Sequence, residues 1–419
     1  MVNQNRSSYP HPNLTDEEFR EIAALADEVA AYFTPHPRLE YGGLVGAGAD
    51  GGVLLFRDTN IAERTSKRVV VKFSINEKTD QSLNFEAQCL ANLIGAEHIV
   101  QMIPLPQASL DVTGTKRPTL ALEFIRLGDG AAFRKKLAAF GFQTTPSRVL
   151  WHISLCLLRA CIAMAYPPKV PWGTAPVREL VQDYGGTGLA HNRLHLGNII
   201  FSHVADESEY DLEHGLVPLV KLIDFGSASV EQDDEMANYI NIVGVAEMII
   251  ALALPTLDEE KLKITGENPI QYQLRRGQWI ETYAPYEFVN MEKIDIELRD
   301  FIAQICTYRN APTLAQAVEV AAGGVVYRQP DDIATSAFTE AEKWMESDNG
   351  IKSLVQQCFL NADRPDVPGG SGFFMGWSIH QQPGQPTEPD TSKKTRPTLY
   401  QGFLKALEAM RNTSERDLD

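Results

Sequence analysis

The stretch that decides the fold is Leu189–Phe201, LAHNRLHLGNIIF, read together with Val220–Gly226, VKLIDFG, which follows it after an acidic insertion. In the first segment, polar side chains precede the apolar run Ile199–Phe201, which has the composition of a short buried strand. The second segment is another apolar run, and it ends in the triplet Asp224-Phe225-Gly226. Each segment thus combines an apolar run with polar residues, which end at Asn198 in the first segment and begin at Asp224 in the second.

A glycine-rich segment lies far upstream, at Tyr41–Phe56, YGGLVGAGADGGVLLF. Its residues Gly46, Gly48 and Gly51, followed by Val53, fit the spacing G-x-G-x-x-G-x-V, in which glycines let backbone N–H groups approach phosphates closely. The alternative is a glycine-rich hairpin turn that binds no ligand, because this spacing by itself is a weak signal.

Two further segments carry charged side chains of interest. The β-branched run Arg68–Phe73, RVVVKF, predicts a strand with Lys72 between two apolar neighbours. The segment Phe85–Leu93, FEAQCLANL, predicts a helix that carries Glu86. A strand lysine is usually part of a solvated face, and a helix glutamate is usually a surface carboxylate, so these alternatives stay open at this point.

Taken in this order, the three glycines, Lys72, Glu86, Asn198 and Asp224 resemble the motifs of the protein-kinase-like superfamily over roughly residues 40–255. The chain resembles degenerate, pseudokinase-like members, including fungal kinase-like and small-molecule kinase-like proteins. The resemblance implies an α+β, bilobal fold with a β-rich N-lobe that contains one main helix and a larger helical C-lobe. It implies four regions: an N-terminal extension with a helix at 1–39, the N-lobe at 40–128, the C-lobe at 129–362, and a Pro/Gly-rich tail with a C-terminal helix at 363–419.

The resemblance also implies roles for individual residues. Lys72 is expected to pair with Glu86 and to hold phosphates, and Asn198 and Asp224 are expected to hold Mg²⁺ if that ion is bound. The expected cofactor-binding residues, if ATP binds, are Gly46, Gly48, Gly51, Lys72, Asn198 and Asp224. The candidate catalytic residues are Arg193, His195, Asp224 and Glu86.

One position departs from the superfamily pattern, because Arg193 stands where an active kinase has its catalytic aspartate. The aspartate accepts or orients the proton of the substrate hydroxyl, whereas arginine cannot act as a base at any relevant pH. Arg193 instead places a cation in the site. That cation could bind a phosphate or carboxylate, pair with Asp224 and exclude Mg²⁺, or form a plain structural salt bridge. His195 is either a general base or a loop-packing histidine.

Other departures bear on the class of function. No Ala-Pro-Glu motif follows Gly226, and the aspartate that normally braces the catalytic loop is missing, with Tyr239 or Asn241 in its neighbourhood. Three classes stay open: a repurposed biosynthetic transferase, a regulatory pseudokinase, and an atypical small-molecule kinase that uses ATP and Mg²⁺. The first is our working hypothesis, because the catalytic loop is altered while the glycines are kept. One form of it is an aminoacyl-tRNA-dependent, arginine-containing cyclodipeptide synthase.

Composition limits the partners. The 419 residues carry a formal net charge of −17, which disfavours broad binding to nucleic acids, DNA included. We expect a small-molecule or aminoacyl substrate, and a tRNA partner would need a local basic strip. The candidate strips are Arg134-Lys135-Lys136, Arg275-Arg276 and Lys393-Lys394, each of which is otherwise a solvated surface charge cluster.

The chain is expected to be cytoplasmic. Its five cysteines include no CxxC pair and are expected to be reduced core thiols. The sequence begins without an apolar signal core, and it contains no run of 18 apolar residues, so no membrane-spanning helix is expected.

Hydrophobic periodicity predicts the remaining elements. An amphipathic helix is expected over Leu14–Phe33, with Thr15 and Glu18 forming a capping box. Apolar core helices are expected at Ser147–Tyr166 and Ile242–Leu254, and an exposed hairpin loop at His203–Pro218. Further helices are predicted at Trp279–Val289, Lys293–Tyr308, Thr313–Ala322, Phe338–Leu360 and Thr398–Arg411, and a linker or strap at 363–398.

Overall fold

A computed structural model describes residues 14–33, 39–48, 51–60, 65–103, 109–111, 116–204, 213–307, 310–333 and 335–360. The expected tail, the helix at Thr398–Arg411 and the basic pair Lys393-Lys394 therefore lie outside the described residues. The described part of the chain is a mixed α+β protein with an antiparallel sheet in its N-terminal part, as the sequence predicted.

The sheet has five strands: β1 (Leu39–Gly48), β2 (Gly51–Asn60), β3 (Thr65–Phe73), β4 (Ser109–Asp111) and β5 (Lys116–Glu123). They lie in the order β1-β2-β3-β5-β4, and every neighbouring pair is antiparallel. Short connections join β1 to β2, β2 to β3 and β4 to β5, as antiparallel neighbours allow.

The two faces of the sheet belong to two hydrophobic clusters. Residues of β3 alternate between them, because successive side chains of a strand point to opposite faces: Val71 packs under helix α1 (Asp16–Phe33), and Val70 belongs to the main core. The predicted capping box of α1 is confirmed, with the Thr15 backbone N–H donating to Glu18 Oε2 at 2.8 Å and the Glu18 N–H donating to Thr15 Oγ1 at 3.2 Å.

Helix α2 (Glu77–Asn92) follows β3 and packs on the core face of the sheet. It begins eight residues before the helix predicted at Phe85. Asn76 and Thr79 form a capping box at its start, with the Thr79 N–H donating to Asn76 Oδ1 at 3.0 Å. A polar first turn therefore starts this helix, and apolar spacing alone does not reveal it.

The helical part of the protein surrounds α4 (Ser147–Ala165), which is apolar on all sides and buried along nearly its whole length. A helix of this kind belongs at the centre of a large core, as the sequence predicted. Helix α5 (Asp234–Ala253) packs beside it. It follows the N-cap Asp233 and begins eight residues before the predicted start at Ile242. The other helices are α3 (Gly130–Ala139), α6 (Tyr286–Val289), α7 (Ile296–Ile305), α8 (Leu314–Tyr327), α9 (Pro330–Ile333), α10 (Glu340–Met345) and α11 (Asp348–Val355).

Two predictions for the C-terminal part were wrong. Trp279–Val289 is not one helix: it starts as strand β11 (Trp279–Thr282), which pairs with β10 (Ile270–Gln273), and only then forms α6. The predicted helix Phe338–Leu360 is divided into α10, α11 and a π-helical turn at Gln356–Leu360. The division falls at Glu346, whose carboxylate accepts the backbone N–H groups of Ser147 and Arg148 at 2.6 and 3.1 Å and thus caps α4.

Short antiparallel pairs hold the polar loop and turn of the opening motif. Strand β7 (Ile199–Phe201) pairs with β8 (Val220–Leu222), and β6 (Leu189–Ala190) pairs with β9 (Ser229–Val230). The connection between β7 and β8 is not simply an exposed hairpin loop. Residues 205–212 lie outside the described part, but His214 and Val217 are buried.

Two helices, α4 and α5, are long and apolar enough to cross a membrane when judged by length and average hydropathy. The expectation of no such helix rested on uninterrupted apolar runs, which is a narrower criterion. The most apolar windows of the two helices are 89% and 67% buried inside the protein, as the core helices of a soluble protein also are, so they are a weak indication of a membrane span. All five cysteines are free and buried, as expected.

Candidate functional site

Lys72 lies on the core face of the sheet, in the middle of β3. Its neighbours across the sheet are Val53 and Leu120, both buried. Its Nζ lies 2.6 Å from Glu86 Oε2 and 3.0 Å from Asp224 Oδ1. The predicted Lys72–Glu86 ion pair is therefore confirmed, and the alternative of a solvated lysine and a surface carboxylate is excluded for this pair.

The three charges shift one another's proton affinity. Burial by itself lowers the pKa of Lys72, but Asp224 and Glu86 outweigh it and raise that pKa above its ordinary value, so the ammonium stays charged. Burial raises the pKa of Glu86, and Lys72 offsets this only in part. Burial also acts to raise the pKa of Asp224, but Lys72 and then Arg193 lower it overall. Asp224 is therefore the carboxylate that stays ionised most readily.

The turn that carries Asp224 is held tightly against α2. Asp224 itself has a left-handed backbone with φ of 69°, which is uncommon for a residue other than glycine. Gly226 lies so close to α2 that a Cβ atom there would come within 2.6 Å of Ser82 Oγ, and that hydroxyl donates to the Gly226 carbonyl at 2.8 Å. The side chain of Phe225 is fully buried. These contacts fix the direction of the Asp224 carboxylate.

His191 connects the polar loop to this turn. Its Nε2–H donates to the Ile223 carbonyl at 3.0 Å, and its ring lies edge-on to Phe225 with centroids 4.8 Å apart. Burial lowers the pKa of His191 to about 4, so the ring is neutral near pH 7. Its Nδ1 is then free to accept the backbone N–H of Arg193 at 3.3 Å. His191 therefore links the polar loop to the turn that carries Asp224 through hydrogen bonds of its ring.

Asn241 braces the loop from α5. Its Oδ1 accepts the backbone N–H of His191 at 3.0 Å, and its Nδ2 donates to the Leu189 carbonyl at 2.9 Å. The sequence placed Tyr239 or Asn241 near this position without assigning a role. The structure selects Asn241, whereas the hydroxyl of Tyr239 donates to the Thr307 carbonyl at 3.1 Å.

Arg193 faces the same cavity as Lys72 and Asp224. Its Nη1 lies 4.0 Å from Asp224 Oδ2, and its side chain is 40% exposed. A contact at that distance is an ion pair at the limit of direct contact, without a close hydrogen bond. The guanidinium is therefore not held to Asp224 by a close hydrogen bond, and it reaches the surface of the protein at this cavity.

Asn198 lies next to Asp224 because the β7–β8 pairing places its carbonyl 2.9 Å from the Ile223 backbone N–H. Its Nδ2 donates to the Arg193 carbonyl at 2.9 Å. Its Oδ1 is buried and accepts no hydrogen bond from the residues that the structure describes. A buried amide oxygen without a hydrogen-bond partner and an ionised carboxylate are both groups that Mg²⁺ accepts as ligands, so the chemistry of these two residues fits the ion that the sequence implied.

The other candidate residues are less directly involved. His195 uses its Nδ1 to accept the Gly197 N–H at 3.1 Å, which makes it the cap of a short 3-10 turn at Leu196–Asn198. This contact agrees with a loop-packing histidine. Gly46 and Gly48 lie in β1 opposite Val53 and Gly51, at a hairpin whose tip, 49–50, lies outside the described part.

Gly51 is required by its surroundings. Its φ is 145°, and a Cβ atom there would come within 2.1 Å of the Phe73 carbonyl oxygen. The glycine at this position is thus explained by strand packing as well as by an approach to phosphate, and the hairpin alternative stays open.

The cavity at the charged cluster is small, with about 30 Å³ available to water-sized molecules. That is room for two or three waters, because one water needs roughly 10–15 Å³ on this measure, so most of a nucleotide would lie outside this cavity. Its lining includes Lys72, Thr79, Ser82, Glu86, Arg193 and Asp224. A larger ligand would have to enter from the side on which Arg193 is exposed.

The predicted basic strips are partly used inside the protein. Arg134 donates to Glu259 Oε1 at 2.7 Å, and Lys136 donates to the Cys358 carbonyl at 2.6 Å. Arg275 pairs with Glu297 at 2.8 Å. Each of these two strips therefore has at least one residue engaged in a contact within the protein.

The sequence matches no known family model, and no curated protein matches it either. The geometry of the site therefore carries the functional argument.

Proposed function

We propose that this chain is a bilobal protein-kinase-like protein, with residues 40–128 as its N-lobe and 129–362 as its C-lobe. The charged cluster supports this proposal. A lysine on the third strand of an antiparallel sheet, paired with a glutamate on the next helix and with an aspartate of an Asp-Phe-Gly turn, is the arrangement of protein kinases. Here it is formed by Lys72, Glu86 and Asp224.

The cleft at this cluster binds a phosphate-bearing ligand. Lys72 and Arg193 place two positive charges at one cavity, and Arg193 is exposed enough to reach outwards. A guanidinium binds phosphate oxygens in pairs, and a buried ammonium acts on them as a point charge. ATP is the first ligand to consider. The terminal adenosine and phosphate of an aminoacyl-tRNA offer similar chemistry.

Asn198 and Asp224 would hold Mg²⁺ together with such a ligand, and the ion would supply charge neutralisation for the phosphates. Arg193 now lies near one oxygen of Asp224. The Arg193 guanidinium would compete with Mg²⁺ for this carboxylate, because both are cations.

The reaction at this site is a group transfer other than phosphorylation of a hydroxyl. The observation that carries this proposal is that Arg193 occupies the expected base position in a loop that is otherwise assembled and braced. The segment 189–201 contains no Asp or Glu that could replace the base. A cation at that point stabilises negative charge on a carbonyl oxygen, as acyl transfer requires. A biosynthetic acyl or aminoacyl transferase, with aminoacyl-tRNA as one candidate donor, fits this arrangement.

Ligand binding is tested first, by thermal shift of the full chain with ATP alone, ATP with Mg²⁺, and an aminoacyl-adenosine analogue. Ligands that bind the native state raise its apparent melting temperature. We expect a shift that is lost in Lys72→Met and kept in Lys78→Met, which removes an exposed lysine of α2. A shift of equal size in Lys72→Met would contradict the proposed site.

The reaction is tested by mass spectrometry of products formed from a charged tRNA mixture. We expect a new amide product that requires Arg193, so Arg193→Ala abolishes it, while Arg20→Ala on the exposed face of α1 does not. ATP-dependent phosphorylation of a small molecule, with no product from charged tRNA, would overturn the transferase proposal and favour an atypical kinase.

A regulatory pseudokinase is a second candidate, and the small volume of the cavity favours it. Lys72 is held by two carboxylates, and about 30 Å³ remains beside them. A cleft that stays closed would respond to no nucleotide and to no aminoacyl compound. If the folded protein shows no thermal shift with ATP and none with the aminoacyl-adenosine analogue, the regulatory pseudokinase is the favoured candidate.

A further inference from the structure

A second cluster of reactive side chains lies in the protein core and does not line the cavity described above. It consists of His98 from the segment after α2, Cys156 from the middle of α4, and His214 from the connection that precedes β8. All three are buried, with exposures of 0%, 1% and 2%. Three segments distant in sequence thus bring one thiol and two imidazoles together in the interior.

The distances suit a single cation. Cys156 Sγ lies 3.8 Å from His214 Nδ1, and one ligand atom from each of the three residues lies within 4.8 Å of the others. Around a bound d¹⁰ cation, sulfur at about 2.3 Å and nitrogen at about 2.0–2.1 Å lie roughly 3.4–3.8 Å apart. The Cys156–His214 pair already meets this spacing. No pair of the three ligand atoms is more than 4.8 Å apart, so the widest pair exceeds the spacing in a metal site by about 1 Å at most.

His98 is oriented by a buried carboxylate. Its Nδ1 lies 2.6 Å from Glu179 Oε2, while its backbone N–H donates to Glu179 Oε1 at 2.8 Å. The opposite ring nitrogen, Nε2, is buried and has no hydrogen-bond partner in the described part of the chain. A histidine that ligates a metal through one nitrogen commonly donates its other N–H to a carboxylate. Glu179 provides that second contact.

The thiol of Cys156 differs from the other thiol of α4. Two imidazoles, those of His98 and His214, lie beside it, and the ligand atoms of the three residues are all within 4.8 Å of one another. Cys161 is equally buried, but it belongs to no such group of potential ligands among the residues that the structure describes. Of the two thiols, Cys156 is therefore the one with partners for binding a metal.

We propose that His98 Nε2, Cys156 Sγ and a ring nitrogen of His214 bind one thiophilic d¹⁰ cation, either Zn²⁺ or Cu⁺. Thiolate and imidazole ligands suit both ions and do not suit Mg²⁺ or Ca²⁺. Zn²⁺ usually takes four ligands in structural sites, whereas a soft three-ligand set suits Cu⁺. Measurement of the bound metal therefore decides which of the two ions occupies this site.

The ion would also hold the backbone that leads to the Asp224 turn of the candidate site. The His98 carbonyl accepts the Leu222 N–H at 2.8 Å, and the Val100 N–H donates to the Leu222 carbonyl at 3.1 Å. Strand β8, which ends at Leu222, leads directly to Asp224. A cation that joins His98 to α4 and to His214 thus holds the segments from which the Asp224 turn departs.

The test uses the full chain, expressed in medium supplemented with zinc or with copper, because a buried site is loaded during folding. Metal content is measured by mass spectrometry after desalting, and affinity by competition with a chromophoric chelator for Zn²⁺ and with a Cu⁺-specific chelator under reducing conditions. We expect one equivalent of one of the two ions. Co²⁺ substitution is expected to give a thiolate-to-metal absorption band.

The matched variants are Cys156→Ala and Cys161→Ala, which remove equally buried thiols from the same helix. We expect Cys156→Ala to lose the metal and the Co²⁺ band, and Cys161→Ala to keep both. Glu179→Gln is expected to weaken binding by about 10–100-fold. If Cys156→Ala does not fold, the Co²⁺ band and chelator competition of the wild type decide the question. A folded wild type without stoichiometric metal, or metal retained in Cys156→Ala, overturns the proposal.

Discussion

The side chain of Asn241 holds the backbone on both sides of Ala190, by accepting from the His191 N–H at 3.0 Å and donating to the Leu189 carbonyl at 2.9 Å. The amide is fully buried. It therefore fixes the start of the loop that carries Arg193 and Asn198, and it does so from a helix about 50 residues further along the chain.

Removing this brace should destabilise the protein. Asn241→Ala leaves a buried N–H and a buried carbonyl without their partner, at a cost of about 1–3 kcal/mol for each group left unsatisfied. Chemical denaturation measures the change. The control is Asn290→Ala, an exposed amide that donates to the Tyr286 carbonyl, where a change within about 0.5 kcal/mol is expected. If both substitutions lower the free energy of unfolding by the same amount, the buried hydrogen bonds of Asn241 contribute no more than the exposed one of Asn290.

The Lys72–Glu86 pair should be strongly coupled. Lys72→Met leaves Glu86, which is 2% exposed, without its cation. Breaking a buried pair in this way costs about 3–5 kcal/mol, and neutralising the remaining partner recovers part of the loss. The double variant Lys72→Met/Glu86→Gln should therefore be more stable than Lys72→Met alone. Additive effects in the double-mutant cycle would contradict direct coupling.

Arg193→Asp should create phosphoryl-transfer activity that the wild type lacks. The new carboxylate restores a general base and a hydroxyl-positioning group beside Asn198 and Asp224, and such a base contributes about 10²–10⁴-fold in rate. ATP turnover in the presence of Mg²⁺ and a panel of small alcohols is the measurement. Arg193→Asn, which has the same size but no basic oxygen, is expected to stay inactive. Robust wild-type turnover that disappears in Lys72→Met would refute the prediction.

Two adjacent glycines of α8 should respond oppositely to alanine. A Cβ atom at Gly324 would lie 2.2 Å from the Trp151 ring, which is buried in α4, so Gly324→Ala should cost about 1–3 kcal/mol through overpacking. At Gly323 the nearest atom lies 3.9 Å away, on the exposed Tyr327. Gly323→Ala should stabilise the helix by up to about 1 kcal/mol. Thermal denaturation of both variants, compared with the wild type, tests the α4–α8 contact.

Asp129 should make stability depend on pH. It caps α3 by accepting the Ala132 N–H at 2.6 Å, and burial raises the pKa of its carboxyl to about 6, against the opposing effects of that hydrogen bond and of Lys135. The folded state then holds the proton more tightly than the unfolded chain, whose pKa is about 3.9. The contribution of the Asp129 carboxyl to the free energy of unfolding is therefore fully present below about pH 4, and it is lost as the pH rises through about 6.

Asp129→Asn keeps the capping oxygen and removes the titration. Relative to the wild type, the variant should gain stability at pH 7, on the order of 2 kcal/mol, and gain little at pH 4. Denaturation at a series of pH values measures this difference. Asp233→Asn, the same change at the exposed N-cap of α5, is the control. A difference between Asp129→Asn and the wild type that does not vary with pH would contradict the assignment.

Local patterns predicted some elements well. The uniformly apolar run of α4 and the capping box of α1 are properties of neighbouring residues, and both helices formed as expected. The order of Lys72, Glu86 and Asp224 along the chain predicted an ion pair that the structure contains. Periodicity failed at Trp279–Val289, where a hairpin turn at Gly277, with φ of 86°, leads into a strand instead of a helix.

The sequence by itself determined the α+β class, the central helix, the candidate residues of the charged cluster and the absence of a carboxylate in the loop at Arg193. The central helix and the missing carboxylate depend on residue type and on short-range periodicity, which act within a few residues. The α+β class and the residues of the cluster followed from the order of motifs that resembles the protein-kinase-like superfamily. Tertiary structure alone decided that Glu346 ends α10 by capping α4, that Asn241 braces the loop, and that His98, Cys156 and His214 meet in the core. Each of these contacts joins groups about 50 to 200 residues apart. A buried polar group must find its partner in space, and nothing in the neighbouring sequence says where that partner is.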